Sequence, residues 1–366
     1  MNKKMIALAV ASAVSVPAAM AQSSNPVTLY GLLDVTVENV KASGGYGPVA
    51  SRTRVANQTS RLGVRGTEDL GGGLRAWFQL ESQVNPDDAC GAGGNPSTGT
   101  TPNGGCSISG NGGKGLASRN SAVGLEGDFG SLLIGRWDTP YKVSSIGVDP
   151  TSNVTIGAYT TVMHDSGNFD RRENNAIQYW TPNMNGFQAK FHYSANEAKT
   201  SSANPYTYAA SLMYASGPFS LGYAFERHSN QAGSTPTGGV KETGNELSAL
   251  LTVGTFKFGG MIERIKKTGF TTKKAYMLSV QTTSGAWNPY LSYGYAKDGG
   301  ATTGASGKAL TLGANYWLSK RSNLYALYTG IRNNSAASYN FGMNPLGGVG
   351  ADSDPRGFGV GVKHVF

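Results

Sequence analysis

The sequence predicts an all-β fold, a 16-stranded antiparallel transmembrane β-barrel with long extracellular loops. Three observations carry this reading. Segments of about ten residues alternate apolar and polar side chains, the period of a strand with two unlike faces. Short and long connections alternate along the chain, as in hairpins whose two ends differ. The chain also stops on Phe366, inside such a segment, where soluble proteins leave loose polar ends.

Residues 1–21, "MNKKMIALAVASAVSVPAAMA", carry Lys3 and Lys4, an apolar run, and Ala19-Met20-Ala21. This is the pattern of a secretory signal peptide cleaved before Gln22, which leaves residues 22–366 as a single barrel domain. No other stretch is apolar for long enough to make a membrane helix, so any span must be built of strands. The first of these, "VTLYGLLDVTV" (27–37), sets Val27, Leu29, Leu33, Val35 and Val37 against Thr28, Tyr30, Asp34 and Thr36. "GFQAKFHYS" (186–194), "PFSLGYAFE" (218–226) and "TFKFGGMIE" (255–263) repeat the phrase. Short turns fall at 70–73, 128–130, 183–186, 216–218, 254, 284–286 and 318–322. Long connections fall at 39–56, 84–116, 137–171, 196–204, 228–243, 267–272, 298–307 and 333–355. Seven short turns and eight long loops join sixteen strands, and no helix is needed. A sandwich would explain the alternation alone. Closure into a barrel also removes both edges and pairs every backbone group in a bilayer. Phe366 then sits in an interfacial aromatic girdle, and the glycines of "RGFGVGVKHVF" face the lumen.

Charged residues make up 14% of the chain, well under the ~25% of soluble domains, as expected where one face meets lipid and the other enclosed water. The net charge of +9 is scattered, with no basic run longer than two residues. Such a pattern in an exported chain argues against nucleic acid and for a field acting on small anions. His164, His192, His228 and His364 are dispersed without zinc spacing. "GASGKAL" (304–310) fails as a phosphate-binding loop, because Thr302 and Ala309 stand where Gly and Ser or Thr are required. No enzyme, cofactor, catalytic set or metal is expected. Cys90 and Cys106 lie in a Gly-rich segment. In an exported chain an even count favours a disulfide over a metal pair or two free thiols.

"TSRLGVRGTEDLGGGLRAWFQLE" (59–81), "GDFGSLLIGR" (127–136), "RENNAIQYWTPNMNGFQAKFHY" (172–193), "LSKRSNLYALY" (318–328) and the terminal "VGVKHVF" resemble the Gram-negative general porins of the beta-proteobacterial, neisserial and Burkholderia-like type. The resemblance runs from first strand to last. It implies a trimeric, water-filled outer-membrane channel for passive diffusion of small hydrophilic solutes and ions. It further implies a third loop, 137–171, folded into the pore, and outer-membrane lipids, lipopolysaccharide and barrel-assembly machinery as partners. The final aromatic, Phe366, would serve as the assembly signal.

A diffusion channel needs an opening of suitable width and fixed charges that lower the barrier for one sign of ion. Arginine suits this role because it keeps its charge and its donor fork matches carboxylate and phosphate. With Leu62 and Val64 turned to lipid, Arg61 and Arg65 face inward; with Ile177 and Tyr179 outward, Arg172, Asn174, Ala176 and Gln178 share the inward parity. The resemblance places constriction arginines on Arg61, Arg119 and Arg172. Strict alternation with Val123 and Leu125 turns Arg119 outward, so a lumen position needs a bulge or a loop. Arg136 and Glu81 are further lining candidates, with Asp165 and Asp170 among the acids of 137–171. Trp77, Trp287 and Trp317 stand near short turns and read as interface anchors. Anion preference is the expected selectivity. A substrate-selective channel for organic anions, an adhesin and a barrel enzyme are the alternatives.

Overall fold

The computed structural model describes residues 27–87, 117–164, 168–195, 197–232, 235–299 and 303–366. The leader, Cys90, Cys106 and Asp165 lie outside them. The described strands are β1 (Thr28–Ser43), β2 (Val49–Asn57), β3 (Arg61–Gly71), β4 (Leu74–Gln83), β5 (Ser121–Gly127) and β6 (Gly130–Asp138). They continue as β7 (Arg172–Trp180), β8 (Phe187–Ala195), β9 (Tyr206–Ser216), β10 (Phe219–Ala232), β11 (Thr235–Val253) and β12 (Phe256–Lys267). The last are β13 (Lys273–Thr282), β14 (Trp287–Lys297), β15 (Ser306–Trp317), β16 (Ser322–Asn333) and β17 (Asp354–Val365). From β3 onward each strand pairs antiparallel with the next. Pairing of β17 with β1, from Leu32↔Val365 to Ser43↔Asp354, closes the barrel.

Seventeen segments make sixteen staves, because β2 and β3 lie end to end along β1. Thr28–Leu32 of β1 pair with β3, and Val35–Ala42 pair with β2. Residues 58–60 interrupt the stave, with Thr59 at a positive φ of 64°. The long loop expected over 39–56 is therefore mostly strand, and the connection shrinks to 44–48. The loop expected over 228–243 is likewise replaced by the ends of β10 and β11. Both tracts carry polar and glycine residues that read as loop, yet backbone pairing to a neighbour holds them extended.

The barrel is inside out relative to a soluble protein. Leu29, Leu33, Leu62, Ile134, Ile177, Phe191, Leu278 and Val362 all stand exposed on the outer face, a surface suited to hydrocarbon. Phe366 lies on this face too. Its backbone exchanges hydrogen bonds with Gly31, and its ring occupies the space where a Gly31 side chain would stand. Trp287 is exposed on the outer face. The other two expected anchors are corrected: Trp77 shares the inward parity of Gln79 and Glu81, and Trp317 lines a cavity with Asp34, Asn315, Tyr325 and Lys363. Nearness to a turn set their height, but strand parity set their face.

The segment between β6 and β7 enters the barrel. It contains a one-turn helix, α1 (Pro140–Ser144), started by Thr139, whose hydroxyl accepts from the Lys142 amide at 3.3 Å. A 3₁₀ turn follows at Tyr159–Thr161. These correct the expectation that no helix is needed. Val148, Ile156, Tyr159, Val162 and Met163 bury themselves against inward residues such as Met261, Met277, Tyr325 and Leu327. Wall glycines receive them, so they do not simply face water. A side chain at Gly294 would fall 2.4 Å from Val162, and one at Gly244 would fall 2.8 Å from Phe169. The last connection, 334–353, folds inward as well, adding Phe341 and Leu346 to the same cluster.

Candidate functional site

The arginines singled out from sequence lie along the wall from β3 to β7. Arg61 opens β3, and its Nε lies 3.5 Å from Glu81 Oε2. Arg119 reaches the other oxygen of Glu81, Nε to Oε1 at 2.6 Å, and the Tyr30 hydroxyl donates to Oε2 at 3.1 Å. One carboxylate thus serves two guanidinium groups. Arg119 takes the loop position that parity demanded: β5 starts only at Ser121, and the chain bends through Ala117 at positive φ.

Next along the wall, Arg172 lies 3.1 Å from Asp138 Oδ1 and donates from Nε to Asn120 Oδ1 at 2.6 Å. Asn120 in turn donates to Asp138 Oδ2 at 2.9 Å, so Asn120 ties the approach to β5 to the end of β6. Lys142, one turn into α1, sits 3.2 Å from Asp138 and 3.6 Å from Asp170. Arg136 donates to the Ser118 carbonyl at 3.0 Å and to Asn174. A register shift between Gly135 and Trp137, with Asn175 at positive φ, turns this end of β6 and β7 toward the lumen. Arg65 is exposed and stacks its guanidinium 5.2 Å above the Tyr30 ring.

The charges do not balance locally. Arg61, Arg65, Arg119, Arg136, Arg172 and Lys142 face Glu81, Asp138 and Asp170. Arg65 and Arg136 have no carboxylate within ion-pairing distance among the described residues. In a narrow space of low effective dielectric, such an excess raises the local concentration of anions.

The acids of the inserted segment are mostly turned away from this wall. Asp149 is buried and accepts from the Thr151, Asn153 and Tyr159 amides at 2.9, 3.0 and 3.0 Å. Burial raises its pKa, although these bonds pull the other way. Asp170 accepts from Asn153 Nδ2 at 3.0 Å and from the Tyr159 hydroxyl at 3.3 Å. On the far side, His164 docks the segment on the wall: Nε2 lies 2.6 Å from Glu246 Oε2, and its amide donates to Glu263 Oε2 at 2.7 Å. Burial lowers its pKa, but Glu246, Glu263 and Asp170 overcome that and hold it above the ordinary histidine value. Asn168 donates to Glu242 at 2.8 Å, and Phe169 stacks on His228 at 4.5 Å. At the β2–β3 break, Gln58 accepts from the Thr155 amide at 2.9 Å.

His164, Glu246 and Glu263 are spaced closely enough to hold a metal ion. Their existing hydrogen bonds and the nearby Lys273 charge describe a docking latch instead. Asn120, Lys142 and Gln58 were not singled out from sequence. Lys142 lies four residues after Asp138, across the junction of β6 and α1; the other two depend on contacts between distant segments.

A closed transmembrane barrel with a cationic stretch of lumen wall and an inserted loop defines a diffusion channel. The Gram-negative porin family model matches residues 7–336, and the chain belongs to that family. Outer membrane porin protein 32 of Delftia acidovorans is 32% identical over 382 aligned residues covering 100% of both chains. The solved anion-selective porin from Comamonas acidovorans superposes with a TM-score of 0.77 at 28% identity, covering 94% of this chain and 100% of that one. OmpT of Vibrio cholerae in its trimer form shares the fold, with a TM-score of 0.65 at 15% identity over 94% and 100% of the two chains. The protein is thus a multi-pass β-barrel of the Gram-negative outer membrane that forms a passive channel.

Proposed function

We propose that the channel prefers small anions, and that Arg61, Arg119 and Arg172 form its constriction, with Arg65, Arg136, Glu81, Asp165 and Asp170 as secondary lining. The observation that carries this reading is Glu81 shared between Arg61 and Arg119, which leaves net positive charge on this part of the lumen wall. The anion-selective relative from Comamonas acidovorans supports it. A unit charge ~6 Å from the ion path, at an effective dielectric of ~40, changes the barrier by about 1.4 kcal/mol, or tenfold in permeability. Arg61→Glu and Arg172→Glu should each shift the zero-current potential in a salt gradient toward cations. Unchanged potentials in both variants would place the selectivity elsewhere.

The functional unit in this reading is a homotrimer, exported by a leader over 1–21 that leaves 22–366 as the barrel. It has no catalytic role. Phe366 is the signal read by the barrel-assembly machinery, and Cys90 and Cys106 close a surface loop by a disulfide. Outer-membrane lipids and lipopolysaccharide surround the barrel. Support for phosphate contacts comes from a cross-strand row of like charges, Arg264↔Lys274↔Lys297, exposed on the outer face. Like charges facing each other on a sheet destabilise it unless an anion intervenes.

A further inference from the structure

We propose that the lumen carries a binding subsite for small aromatic carboxylates, formed by Trp77, Trp137, Trp180 and Lys190 on the short-turn side of the arginine band. This rests on the anion-channel reading and names a ligand class within it. The three indoles come from different strands; Trp77 meets Trp137 edge to face, and Trp137 lies tilted against Trp180. Trp77 and Trp137 have ring centroids 5.7 Å apart, and Trp137 and Trp180 are 6.0 Å apart. All three are only partly buried.

Local sequence builds the patch. Gly124, across from Trp77 on β5, has no side chain, and one placed there would fall 2.5 Å from the indole. That gap lets Trp77 lean toward β6, where its Nε1 donates to Ser131 at 3.4 Å. Trp180 donates to Gln178, which donates onward to the Asp138 carbonyl at 3.0 Å. The patch is therefore fixed directly to the residue that Arg172 grips.

Lys190 supplies the charge. Its ammonium stands 4.6 Å from the Trp180 ring centre, and no carboxylate pairs with it among the described residues. An anion that has passed the arginines thus meets a cation held over Trp180, at one end of the row of indoles. A flat ring with one carboxylate satisfies both features, by stacking on indole and by pairing with Lys190. An aliphatic carboxylate of equal size satisfies only the second.

The test uses full-length protein in planar bilayers, with benzoate and cyclohexanecarboxylate as blockers of the chloride current. Benzoate should reach half-block at a concentration about three- to tenfold lower, the scale of one aromatic contact. The ratio of the two blocking concentrations is read within each variant, so altered conductance alone does not move it. Trp180→Ala and Trp77→Ala should bring the ratio toward one, while Trp180→Phe keeps most of it. Lys190→Met should weaken block by both compounds. An anion-selective wild type blocked equally by both compounds overturns the subsite and leaves the channel reading standing. A wild type without anion preference removes both.

Discussion

Glu81 is the counter-charge for both Arg61 and Arg119, and in the proposed reading this one carboxylate tunes the pore. Glu81→Gln keeps the size and hydrogen-bonding capacity but removes that charge. The variant should raise the chloride-to-potassium permeability ratio about three- to tenfold at low salt, with the gain shrinking as the Debye length falls to ~3 Å near 1 M. A ratio unchanged at every ionic strength would contradict the role. Arg61 was legible from sequence because Leu62 and Val64 fix its parity. Arg119 was only half legible: alternation showed that it needed a loop position, and the start of β5 at Ser121 provides one. Trp77 was misread although the signal was present, since it lies four residues before Glu81 and shares its face. Lys190 was invisible as a site residue because its partner, Trp180, lies across a strand pair.

At the scale of elements, the inserted segment is the part least visible beforehand. Its length marked it as functional, but its contacts run to distant strands, from Glu242, 74 residues beyond Asn168, to Tyr325 and Leu327, and back to Val40 and Val49 of β1 and β2. The latch at His164 gives it a pH dependence. The folded-state pKa of His164 is raised, so the docking energy is fully present below the ordinary histidine pKa of ~6.5. It is lost as pH rises through the raised value. Open-channel current should therefore become noisier at alkaline pH, and His164→Gln should be noisy throughout, since breaking a buried charge pair costs about 3–5 kcal/mol. Quiet, pH-independent current in the variant would contradict the latch. Gly244→Leu should have a similar effect from the wall side, where Phe169 and Tyr141 fill the space above the glycine. The strands themselves were legible because lipid and water impose a strict period of two. The β2–β3 break was not, because the residue at the break, Gln58, finds its partner Thr155 far away in the sequence.

For the whole molecule, closure depends on the register between β1 and β17, which ends with Phe366 lying over Gly31. Deleting Phe366 should lower the outer-membrane yield several-fold while leaving the conductance of surviving channels unchanged; normal yield would count against an assembly role. The purified protein should migrate as a heat-modifiable trimer, and a monodisperse monomer in mild detergent would rule that out. Sixteen staves and their outward faces could be read from alternation and turn spacing. The charge and the arginine positions pointed to an anion-attracting field, but not to which carboxylates are buried as latches and which face the ions. The most direct measurement is the zero-current potential of the wild-type channel in a tenfold potassium chloride gradient. A potential of the sign set by chloride, falling toward zero as total salt rises, is the expected result. A potential of the sign set by potassium would show that the carboxylates outweigh the arginines.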